Sequence, residues 1–347
     1  MKTIFVVDDT GVNLLNAEEA LSGDYNVITM LSASIMFDAL ERVMPDLILL
    51  DILMPEMDGF EALEKLKADR RYEDIPVIFL TSKKDAVTEA HGFKMGVVDF
   101  ISKPFSKPVL LNRIEMHLDM ERKIHERTMK YLRLQNSLIS VLANMVEGRD
   151  KLTGNHVERT TSYINLLLDA MRERNLYAEQ INGWDFDSIV SSARLHDIGK
   201  IVVTDLILNK PESLTDEEYN IMKTHTVEGE KLIEIIIKES GDEEFLRNAI
   251  LFAGNHHERW DGKGYPLGLK GEEISLQGRI MAVVDVYDAL VSDRPYKKAV
   301  THERAVEIIA EGSGSQFDPM VVDVFLEIHD SFAKMHDTMK TKLSDGE

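Results

Sequence analysis

The first 120 residues alternate short apolar runs with segments of helical spacing, and this pattern restricts the fold more than any other feature. Five apolar runs have the length and composition of buried strands; they lie at residues 4–7, 26–28, 47–50, 77–80 and 98–100. Between them, stretches such as residues 14–21 and 60–67 place apolar side chains on one helical face. Such alternation predicts a doubly wound α/β domain in which helices cover both faces of a five-stranded parallel sheet.

Polar residues follow these predicted strands at the point where each strand ends. Asp8 and Asp9 follow the first strand, Asp51 the third and Thr81 the fourth, and Lys103 comes after the fifth. The carboxyl ends of parallel strands meet at one edge of a sheet, where α/β proteins place their chemistry. A single acid after a strand is more often a helix cap, but this set at successive strand ends indicates an oxygen-rich site that suits Mg²⁺.

With residues 51–59, Phe100 and Lys103–Pro104, this pattern resembles the response-regulator receiver domain over residues 1–120. The resemblance implies that Asp51 accepts a phosphoryl group from a partner histidine kinase. It further implies that Lys103 pairs with that group, while Thr81 and Phe100 move as a switch. Four residues would hold Mg²⁺, the last through its main-chain carbonyl: Asp8, Asp9, Asp51 and Leu53.

Length, charge and cysteine content limit the remaining possibilities. A chain of 347 residues is long for one domain and suits two. The chain contains no cysteine, and its N-terminal apolar run is too short for a signal peptide. It also lacks an apolar stretch of about 20 residues, the length that spans a membrane. These features predict a cytoplasmic protein that does not enter membranes. A net charge of −21 argues against nucleic-acid binding. An anionic substrate would therefore need local metal ions or a few placed Lys and Arg residues.

Residues 106–147 contain good helix formers, and we assign residues 121–140 to a helical linker. Apolar residues fall near a spacing of 3.5: Leu110, Ile114, Ile124, Tyr131, Leu138, Leu142 and Met145. His117, Glu121, Thr128 and Gln135 interrupt this seam, so it predicts only a weak coiled coil. Two interpretations stay open, namely a signalling helix that forms a homodimer and a linker helix packed on its own domain.

The second half of the chain is predicted to be helical and contains two unusual histidine runs. His196 and Asp197 begin the run HDIGK, and His256 and His257 begin the run HHERWDGKGYP. Adjacent imidazole and carboxylate groups form the ligand set that a divalent transition metal accepts. Further candidate ligands are His156, His225 and Asp285. A lone histidine is usually a surface or satisfied core residue, so His156 and His225 count only as parts of a pattern.

These runs resemble the HD-GYP family of metal-dependent phosphodiesterases that open cyclic di-GMP. The resemblance also rests on residues 153–159, 210–215 and 293–297, and we assign residues 141–340 to an all-α HD-type domain. The resemblance implies two metal ions with Asp197 between them. The ligands of one ion would be His156, His196 and Asp285, and those of the other would be His225, His256 and His257. Such a pair acidifies a water and stabilises charge at phosphorus, so no covalent nucleophile is needed.

The family resemblance also implies substrate contacts. Lys200 would place a fixed charge at the scissile phosphate, and Arg294 and Lys297 would hold the other phosphate or a guanine edge. Tyr265 would stack or hydrogen-bond with the substrate, although a loop anchor is nearly as good an interpretation. Some relatives carry a glutamate four residues before the first ligand histidine that helps bind a third metal; here that residue is Leu152, so we expect two metals. The sequence does not choose among Fe, Mn, Ni, Co and Zn.

The leading hypothesis is a response regulator that hydrolyses cyclic di-GMP to pGpG, to GMP, or to both, under control of Asp51 phosphorylation. One alternative is an effector that binds nucleotides or proteins without turnover, as family members that have lost ligands do. Another is an HD hydrolase of a different cyclic dinucleotide. Whether phosphorylation activates or inhibits is left open by the sequence.

Overall fold

A computed structural model describes residues 1–82, 86–149, 156–241, 244–293 and 298–344 of the chain. The chain divides into two compact units, Met1–Tyr131 and Leu132–Glu347.

The first unit contains a five-stranded parallel sheet with the strand order β2-β1-β3-β4-β5. Its strands are β1 (Thr3–Val7), β2 (Asn26–Met30), β3 (Leu47–Asp51), β4 (Val77–Thr81) and β5 (Asp99–Ser102). The strand order reverses between β1 and β3, and this is where an open α/β sheet forms a crevice at its carboxyl edge. Main-chain pairing carries β2 and β5 beyond their apolar runs, since Val7 pairs with Met30 and Thr81 with Ser102.

Helices cover both faces of this sheet, as the sequence predicts. They are α1 (Gly11–Leu21), α2 (Ala33–Leu40), α3 (Gly59–Ala68), α4 (Ala86–Lys94) and the start of α5 (Lys107–Arg149). Successive strand residues point to opposite faces. Ile4 and Leu49 therefore pack with residues of α1 and α5, whereas Phe5 and Leu50 pack with residues of α2 and α3. The doubly wound α/β prediction is confirmed.

The long helix α5 contributes buried residues to both units. Leu110 and Ile114 lie in the core beneath the sheet, so the start of this helix is packed on its own domain, which is one of the two interpretations left open by the sequence. Ile139 packs in a core of the second unit. The other seam residues are exposed: Ile124, Tyr131, Leu138, Leu142 and Met145. Neither α5 nor any other helix in the described part of the chain is apolar over a length that could cross a membrane.

The second unit is built from helices, which confirms its predicted all-α class. They are α6 (His156–Glu173), α7 (Ala178–Ile181), α8 (Phe186–Ala193), α9 (Asp205–Leu208), α10 (Asp216–Ser240), α11 (Glu244–Asn255), α12 (Leu276–Val291), α13 (His302–Glu311) and α14 (Pro319–Ser344). A short 3₁₀-helix, Ile198–Val202, lies between α8 and α9. Its main core is formed by α6, α8, α12, α13 and α14, with Tyr163, Tyr287 and Phe332 fully buried.

Candidate metal centre and phosphoacceptor site

The seven predicted ligands of the second unit come from three helices and two turns. His156 lies in α6, His225 in α10 and Asp285 in α12. The pair formed by His196 and Asp197 lies between α8 and the 3₁₀-helix, while His256 and His257 follow directly after α11. The structure brings all seven residues into one region of the helical unit.

Close main-chain packing places the His-Asp turn against α10. A Cβ atom on Gly199 would lie 1.8 Å from the main-chain oxygen of His225 and 2.5 Å from the nitrogen of Gly229. Only glycine fits at such a distance. The glycine of the HDIGK run therefore allows Asp197 and His225 to approach each other.

The ligand atoms form two groups with Asp197 between them. His156, His196 and Asp285 make the first group, and His225, His256 and His257 make the second. The Oδ2 atom of Asp197 lies 3.4 Å from Nε2 of His196, and its Oδ1 atom lies 3.4 Å from Nε2 of His225. One carboxylate thus faces both groups, with one oxygen directed to each.

The Nδ1 atoms of four histidines face hydrogen-bond acceptors. Nδ1 of His196 lies 2.9 Å from the carbonyl of Ala193, and Nδ1 of His225 lies 2.7 Å from that of Met222. Nδ1 of His256 is likewise near the carbonyl of Phe252, and Nδ1 of His156 is near Asp288. Because these oxygens only accept, Nδ1 carries the proton and the lone pair of each neutral ring is at Nε2.

These lone pairs face one another, and this arrangement fits a bound metal. The Nε2 atoms of His156 and His196 are 3.3 Å apart, and those of His225 and His256 are 3.2 Å apart. Two ligand atoms on one ion, each about 2.0–2.2 Å from it, lie about 3.0–3.5 Å apart. Oδ1 of Asp197 is buried and has no hydrogen-bond partner among the described residues. The spacing and the unpaired oxygen both suit divalent ions with imidazole and carboxylate ligands.

Burial keeps most of the ligand imidazoles neutral, as metal ligation requires. Desolvation lowers the pKa of His225 to about 4, and it also lowers the pKa values of His196 and His257. Although burial would raise the pKa of Asp197, the charge of Lys200 holds that pKa well below its usual value. Asp197 is therefore ionised at neutral pH.

Asp288 and Arg159 support the first group; Asp288 lies outside the sequence motifs, and Arg159 ends the motif at residues 153–159 without a predicted role. Oδ2 of Asp288 accepts a hydrogen bond from Nδ1 of His156 at 2.8 Å. Burial alone would lower the pKa of His156, but the hydrogen bond and charge of Asp288 raise it. Arg159 donates to both oxygens of Asp288, at 2.6 and 2.9 Å, and fixes its orientation. Asp288 lies one helical turn after the ligand Asp285, which is the one signal that could have identified it.

Glu258 organises the loop that follows the His-His pair. Its buried carboxylate accepts the main-chain N–H groups of Leu267, Gly268 and Leu269 at 2.7–3.0 Å. Gly264 allows close main-chain packing within this loop, because a Cβ atom there would lie 2.4 Å from the nitrogen of Arg259. The loop is thereby held against the centre.

The predicted substrate contacts are only partly described. Nζ of Lys200 lies 2.7 Å from Oδ2 of Asp197, so its charge is at the ligand groups. The ring of Tyr265 lies 4.8 Å from that of His257. Together with Tyr219 and Asp285, they line an open cleft of about 280 Å³. Arg294, Lys297 and Leu152, like residues 153–155 of the first motif, lie outside the described residues.

In the first unit, the strand-end residues come together at the carboxyl edge of the sheet. Carboxylate oxygens of Asp8, Asp9 and Asp51 lie within 4.8 Å of one another. Nζ of Lys103 is 2.5 Å from Oδ2 of Asp8 and 2.7 Å from Oδ2 of Asp51. Burial raises the pKa of Asp51, and Lys103 opposes that rise. Thr81 is buried at the end of β4. The three carboxylates have the oxygen ligands that Mg²⁺ prefers.

Two further receiver residues have separate surroundings. Phe100 packs edge-on against Phe79 and Phe93, with ring centroids 5.6 and 5.2 Å away. The side chain of Leu53 is exposed, and a hydrogen bond from its main-chain N–H opposes the rise in the pKa of Asp51 that burial causes. Gly59 is required nearby because a Cβ atom there would lie 2.5 Å from the main-chain oxygen of Asp51.

Comparisons with known proteins match both units. The response regulator receiver domain matches residues 4–115, and the HD domain matches residues 140–321. A probable cyclic di-GMP phosphodiesterase of Vibrio cholerae is 40% identical over 339 residues, which are 93% of this chain and 77% of that protein. The cyclic di-GMP phosphodiesterase response regulator RpfG of Xanthomonas campestris is 37% identical over 81% of this chain and 75% of its own. A 3'3'-cGAMP-specific phosphodiesterase 2 of Vibrio cholerae is 37% identical over 56% of this chain and 35% of its own.

Proposed function

The chain belongs to the response regulators that join a receiver domain to an HD domain, and we propose that it is a metal-dependent phosphodiesterase that hydrolyses cyclic di-GMP. One observation carries this proposal, namely the two groups of ligand atoms with Asp197 between them. The names of two relatives that cover most of the chain support the choice of substrate.

We assign the seven ligands to two divalent ions of the Fe, Mn, Ni, Co or Zn type. His156, His196 and Asp285 would bind one ion, and His225, His256 and His257 would bind the other. Asp197 would lie between the two ions. Such ions acidify a water and stabilise negative charge at a scissile phosphate. The residues of the chain orient these groups: Asp288 holds the proton on Nδ1 of His156, and Lys200 keeps a positive charge beside Asp197. Without a glutamate at position 152, a third metal is not part of the proposal.

The test is hydrolysis of cyclic di-GMP by the same sample whose metal content is measured. We expect about two transition-metal ions per chain and a linear product, pGpG, with GMP if a second bond is cut. Chelation followed by Mn²⁺ or Fe²⁺ should remove and restore the activity. A fully metal-loaded protein that leaves cyclic di-GMP intact would contradict the proposal.

The alternative functions differ in how well they are supported. A non-catalytic effector is disfavoured because all seven predicted ligands are present and adjacent. Hydrolysis of another cyclic dinucleotide has a specific support, since one relative is named for 3'3'-cGAMP. Assaying this compound beside cyclic di-GMP in the same reaction series distinguishes the two substrates.

We propose that a histidine kinase phosphorylates Asp51, and that Asp8, Asp9, Asp51 and the carbonyl of Leu53 hold Mg²⁺ there. Lys103 would pair with the phosphoryl group, and Thr81 and Phe100 would move as a switch. The end of α5 offers a route to the metal centre. Its Glu147 accepts the main-chain N–H of His156 at 2.6 Å, and its Arg149 donates to the carbonyls of Ile201 and Val203 after Lys200. A shift of α5 would therefore act on the two segments that carry His156 and Lys200.

We also propose that α5 forms a homodimer. Ile124, Tyr131, Leu138 and Met145 are exposed at seven-residue intervals, which is the period of a coiled coil. Light scattering should give the mass of two chains for the native protein and of one chain for Leu138→Lys. Glu126→Lys, off this seam, should remain dimeric. A monomeric native protein would contradict this proposal.

The cytoplasmic location that the sequence predicts stays a prediction.

A further inference from the structure

Two aromatic rings form a wall of the cleft beside the second ligand group, and the ammonium group of one lysine lies near both rings. Tyr219, in α10, is about half exposed, and Tyr265 lies on the loop after the His-His pair; both line the cleft. Their ring centroids are 6.3 Å apart at an angle of 80°. Nζ of Lys223 lies 5.1 Å from the ring centroid of Tyr219 and 6.0 Å from that of Tyr265. We call Tyr219, Lys223 and Tyr265 the aromatic-lysine wall.

This wall adjoins the ligand groups directly. The ring of Tyr265 is tilted by 30° against that of His257, with centroids 4.8 Å apart. Tyr219 and Lys223 are four residues apart in α10, so they share one helical face, and His225 follows two residues later. A diester held at the ligand groups therefore has its neighbouring groups beside this wall.

The charge of Lys223 is available to a ligand. Within the described residues it forms no ion pair, whereas Lys210 is paired with Glu218 and Lys231 with Glu228. An ammonium group near two aromatic rings is attracted to their faces and stays at the wall. Because the protein has a net charge of −21, an unpaired cation beside the tyrosine rings of this cleft is a local exception that favours an electron-rich ligand.

We propose that Tyr219 and Lys223 bind a guanine base of the substrate, an inference that rests on the proposed function. Every nucleobase can stack on an aromatic ring, and Tyr219 presents such a ring at the cleft. The ammonium of Lys223 donates to O6 and N7 of guanine, which both accept. Lysine has no acceptor for the amino group that adenine carries instead of O6. The wall therefore selects guanine over adenine at this position.

Steady-state kinetics of the metal-loaded full chain test this role. Tyr219→Ala should raise KM for cyclic di-GMP about fivefold or more, since one stacked base contributes at least that factor. Tyr219→Phe keeps the ring and should keep the native KM. Neither change should alter hydrolysis of bis(p-nitrophenyl) phosphate, a diester without a nucleobase.

Lys223→Met tests the base preference. We expect KM for cyclic di-GMP to rise about tenfold. Binding of cyclic di-AMP, the adenine analogue, can be measured as inhibition of bis(p-nitrophenyl) phosphate hydrolysis. The cyclic di-AMP concentration that gives half inhibition should change less than twofold. Lys231→Met, an exposed change on the same helix, is the matched control and should alter neither value.

The outcomes separate the wall from the proposed function. An unchanged KM in Tyr219→Ala and Lys223→Met would overturn the wall alone. Equal losses with cyclic di-GMP and bis(p-nitrophenyl) phosphate would also overturn it, because they would indicate damage to His225 instead of lost base binding. Native protein that hydrolyses bis(p-nitrophenyl) phosphate but no cyclic di-GMP would overturn the proposed function itself.

Discussion

Replacing Asp197 by asparagine is expected to reduce cyclic di-GMP hydrolysis about 10³-fold and to lower the bound metal. Each oxygen of this carboxylate faces a different ligand group, and Oδ1 has no other partner among the described residues. Asparagine keeps the shape but replaces one oxygen by an amide nitrogen that donates and does not bind metal. Three powers of ten correspond to about 4 kcal/mol, the scale of charge stabilisation by a metal ion.

The measurement combines product formation from cyclic di-GMP with the transition-metal content of the purified variant. Asp323→Asn, an exposed change on α14, is the matched control and should retain native metal and turnover. Thermal unfolding should be compared on the metal-free proteins, because stabilisation by bound metal then does not contribute to the difference between the variants. An Asp197→Asn protein with native turnover and native metal content would contradict the bridging role.

The residues of the two candidate ligand groups could be selected from the sequence because adjacent His-Asp and His-His pairs are distinctive; that they bind metal stays a prediction. Their supports could not, because they are ordinary residues whose partners lie far along the chain. Asp288 reaches His156 across 132 positions, and Arg159 reaches Asp288 across 129. Glu147 and Glu258 bond main-chain N–H groups, and no residue pattern marks such a contact.

The fold of the first unit was predictable because each buried strand is a short, continuous apolar run. The apolar face of α5 was harder to interpret, since helical period does not reveal what covers a given face. Leu110 and Leu138 both belong to the apolar seam with a spacing of 3.5 residues. Leu110 nevertheless lies beneath the sheet, whereas Leu138 is exposed. Packing partners decide the difference, and those depend on the whole unit.

Asp51→Asn is expected to reduce phosphorylation by a small-molecule phosphodonor to background. Transfer requires a carboxylate oxygen to attack phosphorus while the donor's P–O bond breaks, and an amide cannot form the acyl phosphate. Lys103, at 2.7 Å from Asp51, is expected to stabilise the charge on the transferred group. Retention of radiolabel after brief exposure to labelled acetyl phosphate and Mg²⁺ is the measurement. Asp24→Asn, a change of an exposed acid, should label like native protein.

The same variant tests control of the metal centre. Phosphodonor should change cyclic di-GMP turnover in the native protein but leave the Asp51→Asn rate unchanged. Glu147→Gln should reduce the size of this response, because a neutral amide binds the N–H of His156 more weakly than a carboxylate does. Label on Asp51→Asn at the native level would exclude Asp51 as the acceptor. Equal turnover of phosphorylated and unphosphorylated native protein would exclude coupling through α5, even if Asp51 is the acceptor.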